Sequence, residues 1–211
     1  MRDAIIKTED LLWHAAELGH EVVGITEHES LSNHVKAEKI YREVKKKYSN
    51  FKLIRGNEIY LCRNGLNANN FNREYDRYYH CVLLAKDAIG HKQIREISTR
   101  AWRRSYMARG MRRVPTYYQD LIDIIGANPG HVIGTSGCLG GALPTQLLRA
   151  KNNPDLYPKI YAWIEQMNIL FGQGNFYFEL QPSESKDQTY VNRQLIKLSR
   201  ETNVPYIITT D

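Results

Sequence analysis

Residues 8–29 read TEDLLWHAAELGHEVVGITEHE, and the change of period inside this stretch decides the fold class. Leu11, Leu12, Ala15, Ala16 and Leu18 recur at helical spacing, Thr8 stands where a helix cap belongs, and Gly19 supplies the stop. An apolar run at residues 22–26 follows at once, so a helix feeds directly into a strand. The same alternation continues outward. Residues 35–48 place Val35, Ile40, Val44 and Tyr48 on one face of a surface helix, and strands follow at residues 53–61 and 81–85. Between those strands lies an Asn-rich stretch that reads as a long loop or hairpin tip. A helix over residues 88–106, another starting at Pro115 and stopped by Gly126, and a strand at 131–135 come next. The turn SGCLGG then leads into helices near 143–150 and 154–170, a strand FYFELQ, a helix over 187–201 and a strand over 205–209. Six strands separated mainly by helices predict an α/β fold with a largely parallel sheet, open or closed into a barrel. No repeat or low-complexity linker divides the 211 residues, and a single domain over 1–211 is expected.

Composition narrows the class. With 42% hydrophobic and 25% charged residues the chain is globular in type, and no apolar run approaches the roughly 18 residues that a membrane span needs. The first residues carry acids and lack the apolar core of a secretory signal, and Cys62, Cys81 and Cys138 have no CxxC spacing, so a cytoplasmic location is expected. Net charge is +6, and residues 95–113 hold seven arginines against the single acid Glu96. The rest of the chain, with 22 of the 29 Lys and Arg and 22 of the 23 acids, is neutral. A local basic patch suits a phosphate-bearing partner. It equally suits a solvated helix face balanced by a neighbouring domain.

In parallel α/β folds functional side chains collect where strands end. Those positions hold Glu27, His28 and Glu29 after the first strand, Glu58 within the second, Cys138 after the strand at 131–135, Glu179 in FYFELQ and Asp211 after the last. His80 begins its strand and reaches the same mouth only if that strand runs back antiparallel. Imidazole, carboxylate and thiol together suit zinc or manganese and do not resemble a sulfur-only structural zinc cage. Taken singly, Cys138 is an ordinary packed residue and Asp211 an ordinary cap, so the constellation carries the weight. His14, His20, His34, His91 and His131 fit no such pattern.

The segments GITEHESLSNHVKAEKIY (24–41), IRGNEIYL (54–61), YYHCVLLAKDAIGHKQI (78–94), GTSGCLGGALP (134–144), FYFELQ (176–181) and VPYIITTD (204–211) resemble, in order and interval, the polymerase-and-histidinol-phosphatase (PHP) domain of the bacterial DNA polymerase III alpha subunit. The resemblance implies a distorted (β/α)7 barrel with up to three zinc or manganese ions at its mouth. By resemblance His28, Glu58, His80, Cys138 and Asp211 are metal ligands, with Glu27, in place of the usual Asp, and Glu179 beside them. The family's opening His-x-His strand is absent before Met1, and the histidine expected two residues beyond Asp211 is absent too. The chain therefore reads as a fragment of a larger replicative polymerase from a bacterium or phage, with a ligand set too incomplete for activity on its own.

Family members implied by this resemblance are either metal-dependent 3′–5′ exonucleases or silent platforms that dock a separate proofreading subunit. A free-standing phosphatase is the remaining alternative, which SGCLGG and YYHCVLLAKD disfavour. DNA and the remaining polymerase domains are the implied partners. Arg103, Arg104, Arg112 and Arg113 are expected to form one exposed surface leading a DNA strand to the mouth, with Trp102 and Tyr106 for base stacking.

Overall fold

The apolar stripe of the first helix, α1 (Thr8–Glu17), buries Leu12, Ala15 and Ala16 against α2 (His34–Lys47), which contributes Ala37 and Val44 to the same small core. These contacts come from a computed structural model that describes residues 6–72, 76–108 and 110–210. Thr8 does not cap α1. The cap is Lys7, and the Thr8 hydroxyl instead accepts a 2.6 Å hydrogen bond from the Asn33 amide, tying α1 to the start of α2.

Strand β1 (Val22–Ile25) lies parallel to the long β2 (Lys52–Cys62), and β3 (Tyr79–Ala85) runs antiparallel to β2 with Tyr60 opposite His80. Among the described residues between β2 and β3 no crossover helix intervenes, and a connection without one returns the chain as an antiparallel neighbour. Helix α3 (Ala88–Arg103) follows, its first turn closed by the Asp87 carboxylate accepting from the Gly90 N–H.

The basic stretch departs from the sequence reading. Helix α3 ends at Arg103, and the chain forms a hairpin of β4 (Tyr106–Ala108) and β5 (Met111–Arg113), turned at Gly110 with φ of 74°. Pro115 opens no helix: it begins β6 (Pro115–Tyr117), parallel to the end of β2. Proline is accommodated there because the first residue of a short outer strand can do without an N–H. Helix α4 (Tyr118–Leu121) then runs into one π turn, Ile122–Gly126.

The second half is regular. Strand β7 (Val132–Thr135) lies antiparallel to β3, and β8 (Phe176–Leu180) and β9 (Tyr206–Ile208) extend the sheet in parallel. Helices α5 (Ala142–Ala150), α6 (Tyr157–Phe171) and α7 (Lys186–Thr202) connect them. The main sheet has seven strands in the order β1-β2-β3-β7-β8-β9, with β6 added on β2, and it curls into a half-barrel. Its core packs Leu83, Ile94, Ile97, Leu143, Phe171, Phe176, Phe178, Val191 and Leu195, all fully buried. Each such side chain contributes about 1.5–3 kcal/mol by leaving water. Because only β3 is reversed, the start of β3 and the ends of the other main-sheet strands face one way.

Candidate metal centre

Past the end of β1 the backbone stays beside β2: Glu58 N donates to Glu27 O, Glu29 N donates to Glu58 O at 2.7 Å, and His28 pairs with Glu58 as an isolated parallel bridge. This pairing sets the His28 ring against the Glu58 side chain. From the opposite direction β3 delivers His80, whose Nδ1 lies 2.8 Å from Glu58 Oε1, while His28 Nδ1 lies 3.4 Å from Glu58 Oε2. One carboxylate thus lies between two imidazoles, within hydrogen-bond distance of His80 and in looser contact with His28, and the ring centroids are 5.9 Å apart.

The SGCLGG turn brings the thiol. His80 N donates to Gly140 O at 3.1 Å, which lays the turn along the His80 backbone. A Cβ on Gly137, whose φ is 71°, would stand 2.5 Å from His80 O, and one on Gly141 would stand 2.0 Å from Ser136 O. Only glycines permit so close an approach. It places Cys138 Sγ 3.5 Å from His80 Nδ1, with the Gly140 N–H donating to the same sulfur at 3.4 Å. His80 is thereby pushed up to about 10, by its hydrogen bond to Cys138 first and to Glu58 second, against the opposing effect of burial. The Tyr60 ring stacks on His80 with centroids 4.9 Å apart.

Two flanking glutamates differ in setting. Glu27 Oε1 accepts from the Asn33 amide at 2.6 Å, whereas its Oε2 is buried with no hydrogen-bond partner among the described residues. Glu29, which the strand-end pattern placed at the mouth without a role, sits in the left-handed region at φ of 56°. Burial pushes its carboxyl up to about 7, while the Val114 N–H and the charges of Arg113 and His80 pull it down. Its Oε1 is also buried without a partner.

Glu179 accepts from Thr135 Oγ1 at 2.7 Å, Gln181 Nε2 at 3.1 Å and Thr209 Oγ1 at 2.7 Å. It ties β7, β8 and the segment after β9 together. Asp211 lies outside the described residues.

A family model described as the PHP domain matches residues 1–183. The chain belongs to the PHP family. Among relatives of this PHP chain, a DNA-directed DNA polymerase of Bacillus phage SPbeta is 34% identical over 99% of the chain. The DNA polymerase III alpha subunits of Borreliella burgdorferi and Aquifex aeolicus are 30% and 27% identical over the same share. The chain spans 17% of the length of each of these relatives. In fold it is similar to a Bifidobacterium adolescentis protein assigned as a metal-dependent phosphoesterase, with a TM-score of 0.50, 10% identity, and coverage of 99% of this chain and 82% of that one.

The donor types of the PHP site fit a borderline divalent ion, and the two orphaned carboxylate oxygens of Glu27 and Glu29 are what a nearby cation would satisfy. Among the described residues, however, no three of these groups converge as a ready ligand set. Glu58 and Cys138 both contact His80 Nδ1 instead.

The arginines divide into two kinds. Arg103 and Arg112 are exposed, and Arg112 donates to Ser105 Oγ at 3.2 Å. Arg104 is half-buried in a bidentate pair with Asp120, at 2.5 and 2.8 Å, and lies 4.1 Å from the Tyr117 ring centroid. Arg113, also half-buried, stands 5.2 Å from the centroid of the Tyr78 ring. Trp102 is exposed but spends its indole N–H on Glu29 O at 2.7 Å. No helix among the described residues is long and apolar enough to cross a membrane.

Proposed function

We propose that this chain is the PHP domain of a replicative DNA polymerase, acts in the cytoplasm, and binds zinc or manganese for hydrolysis of phosphodiesters at DNA 3′ ends. The observation that carries the reading is the meeting of His28, Glu58, His80 and Cys138, distant in sequence, at one end of the sheet of a PHP chain. Those four residues would hold the metal, with Asp211 completing the set and Glu27 and Glu29 supplying negative charge beside it. When bound, such an ion activates water and neutralises charge developing on a phosphoryl group. Glu58 orients both imidazoles, and Glu179 fixes the strand ends from which the last ligand departs. Arg112 and Arg103, both exposed, would draw in the phosphate backbone. Polymerisation belongs to other domains of the parent protein.

The contacts that occupy His80 favour a second reading, a metal-free platform on which other polymerase domains or a proofreading subunit dock. Metal stoichiometry separates the two. After dialysis against manganese or zinc, the chain is expected to retain at least one ion, and Glu58→Gln combined with Cys138→Ala is expected to release it. Retention by wild type and loss by the variant, together with release of nucleotides from a 3′-labelled single strand by the parent polymerase, supports the first reading. A wild-type chain free of metal and a variant of equal stability leave the platform.

A further inference from the structure

Between the loop that precedes β3 and the hairpin β4–β5 lies a cavity of about 660 Å³ that none of the candidate metal ligands lines. Its walls include Phe71, Arg77 and Tyr78 from the loop between β2 and β3, and Tyr106, Met107 and Arg113 from the hairpin β4–β5. Phe71 and Tyr78 are stacked at 5.8 Å with their planes 15° apart, Arg113 lies over the Tyr78 ring, and the Tyr78 and Tyr106 hydroxyls are hydrogen-bonded to each other. None of these aromatics belongs to either hydrophobic core. Phe71 is 38% exposed and Met107 57%, so apolar surface is left facing water around a cationic group.

We propose that this cavity is a stacking subsite for a nucleobase of single-stranded DNA. A volume in this range suits a ligand of nucleotide size. Flat aromatic faces receive a base whatever its sequence, a soft thioether fills the gap at the ring edge, and Arg113 meets the phosphate that accompanies the base. The subsite is joined to the cluster by the chain itself. Val114, next to Arg113, donates its N–H to the Glu29 carboxyl, and Glu29 N donates to the Glu58 carbonyl. A strand with one base in the cavity would have its backbone near the segment that carries Glu29. The single phosphate-binding arginine and the uncharged rings also predict weak sequence preference.

The inference rests on DNA being the partner, and is tested by binding without hydrolysis, in EDTA. Fluorescence anisotropy of a labelled oligothymidylate is compared with an abasic strand of the same length. Phe71→Ala and Tyr78→Ala are expected to weaken oligothymidylate binding about 5- to 150-fold, the range for loss of a stacking ring, and to leave abasic binding and the salt slope unchanged. Arg113→Gln is expected to weaken both ligands and to reduce the salt slope by about 0.7. Because Phe71 is partly exposed, its replacement leaves the fold intact, which thermal unfolding of the variant verifies. Wild-type binding that Phe71→Ala and Tyr78→Ala do not alter overturns the subsite alone. Absence of binding to either strand by the wild-type chain overturns it together with the DNA reading.

Discussion

Glu179 shows how one buried carboxylate can organise a strand end. It has three side-chain donors from three consecutive parts of the sheet, so its removal leaves the buried Thr135 hydroxyl and Gln181 amide without this partner, while the half-buried Thr209 hydroxyl can turn to water. Glu179→Ala is expected to lower unfolding free energy by about 3 kcal/mol and Glu179→Gln by about half as much, read from urea denaturation. A loss below about 1 kcal/mol for the alanine variant would contradict the assigned role. A second residue-scale case lies away from the cluster, at histidines that the sequence pattern left without a role. His34 Nε2 donates to Gly56 O at 3.0 Å, and its Nδ1 lies 3.1 Å from His91 Nε2. Burial holds both pKa values below the ordinary imidazole range, and for His91 the His34 charge adds to it. Glu27, Glu38, Arg55 and Arg95 are the charged groups around the pair. At these two sites the unfolded chain therefore binds more protons than the folded one below about pH 6.5, so the pair's own contribution to stability falls as pH drops through that value, while Glu29, with its raised pKa, acts in the opposite sense. Denaturation midpoints taken from pH 8 to pH 5 should decline more steeply for wild type than for His34→Gln. Equal slopes would remove the pair from the pH response.

At the scale of elements, the segment from the end of α3 to α4 is where sequence and structure part, and the cause lies in tertiary contacts of individual arginines. Arg104 leaves the helix to embrace Asp120, which is buried and also accepts the Tyr117 N–H. No local period announces a bond across 16 positions, and three-residue strands carry too little alternation to read. The long strand β2 and the helices α2, α6 and α7 were legible because each presents several turns or pleats to one core. The ligand candidates His28, Glu58, His80 and Cys138 were legible for a different reason, since strand ends in an α/β sheet share a mouth. Glu29 lacked any signal beyond its neighbours, because its importance comes from a left-handed backbone and the approach of Val114. For Arg104 a double-mutant cycle with Asp120→Asn is expected to give a coupling of about 1–3 kcal/mol in stability. Arg103→Ala combined with Arg112→Ala should instead leave stability within about 0.5 kcal/mol and flatten the salt dependence of single-stranded DNA binding. Reversal of these two outcomes would reassign Arg104 to the DNA surface.

For the whole molecule, the decisive property is that the curled sheet ends in two strands, β1 and β9, each with a single partner among the described residues. Val22 is 43% exposed, Tyr206 47% and Ile208 72%, so both edges carry exposed apolar side chains. Isolated edges of water-exposed sheets are ordinarily protected by charge, proline or a bulge, and β9 carries Tyr-Ile-Ile with no charge and with Pro205 only at its start. The alternation of helices and strands announces such a sheet, but which strands stand at its margins depends on the order of pairing and is invisible to local pattern. Unprotected parallel edges of two copies can complete one another, because strand addition satisfies the backbone groups and covers the apolar side chains in the same step. The chain is accordingly expected to self-associate with rising concentration, measured by light scattering after size exclusion. Val22→Lys and Ile208→Lys should each shift the distribution toward monomer, since a charge on an edge strand opposes pairing, while leaving the unfolding midpoint nearly unchanged because neither side chain is in a core. A wild-type chain that stays monomeric at every accessible concentration would mean that the exposed margins are covered from within the chain.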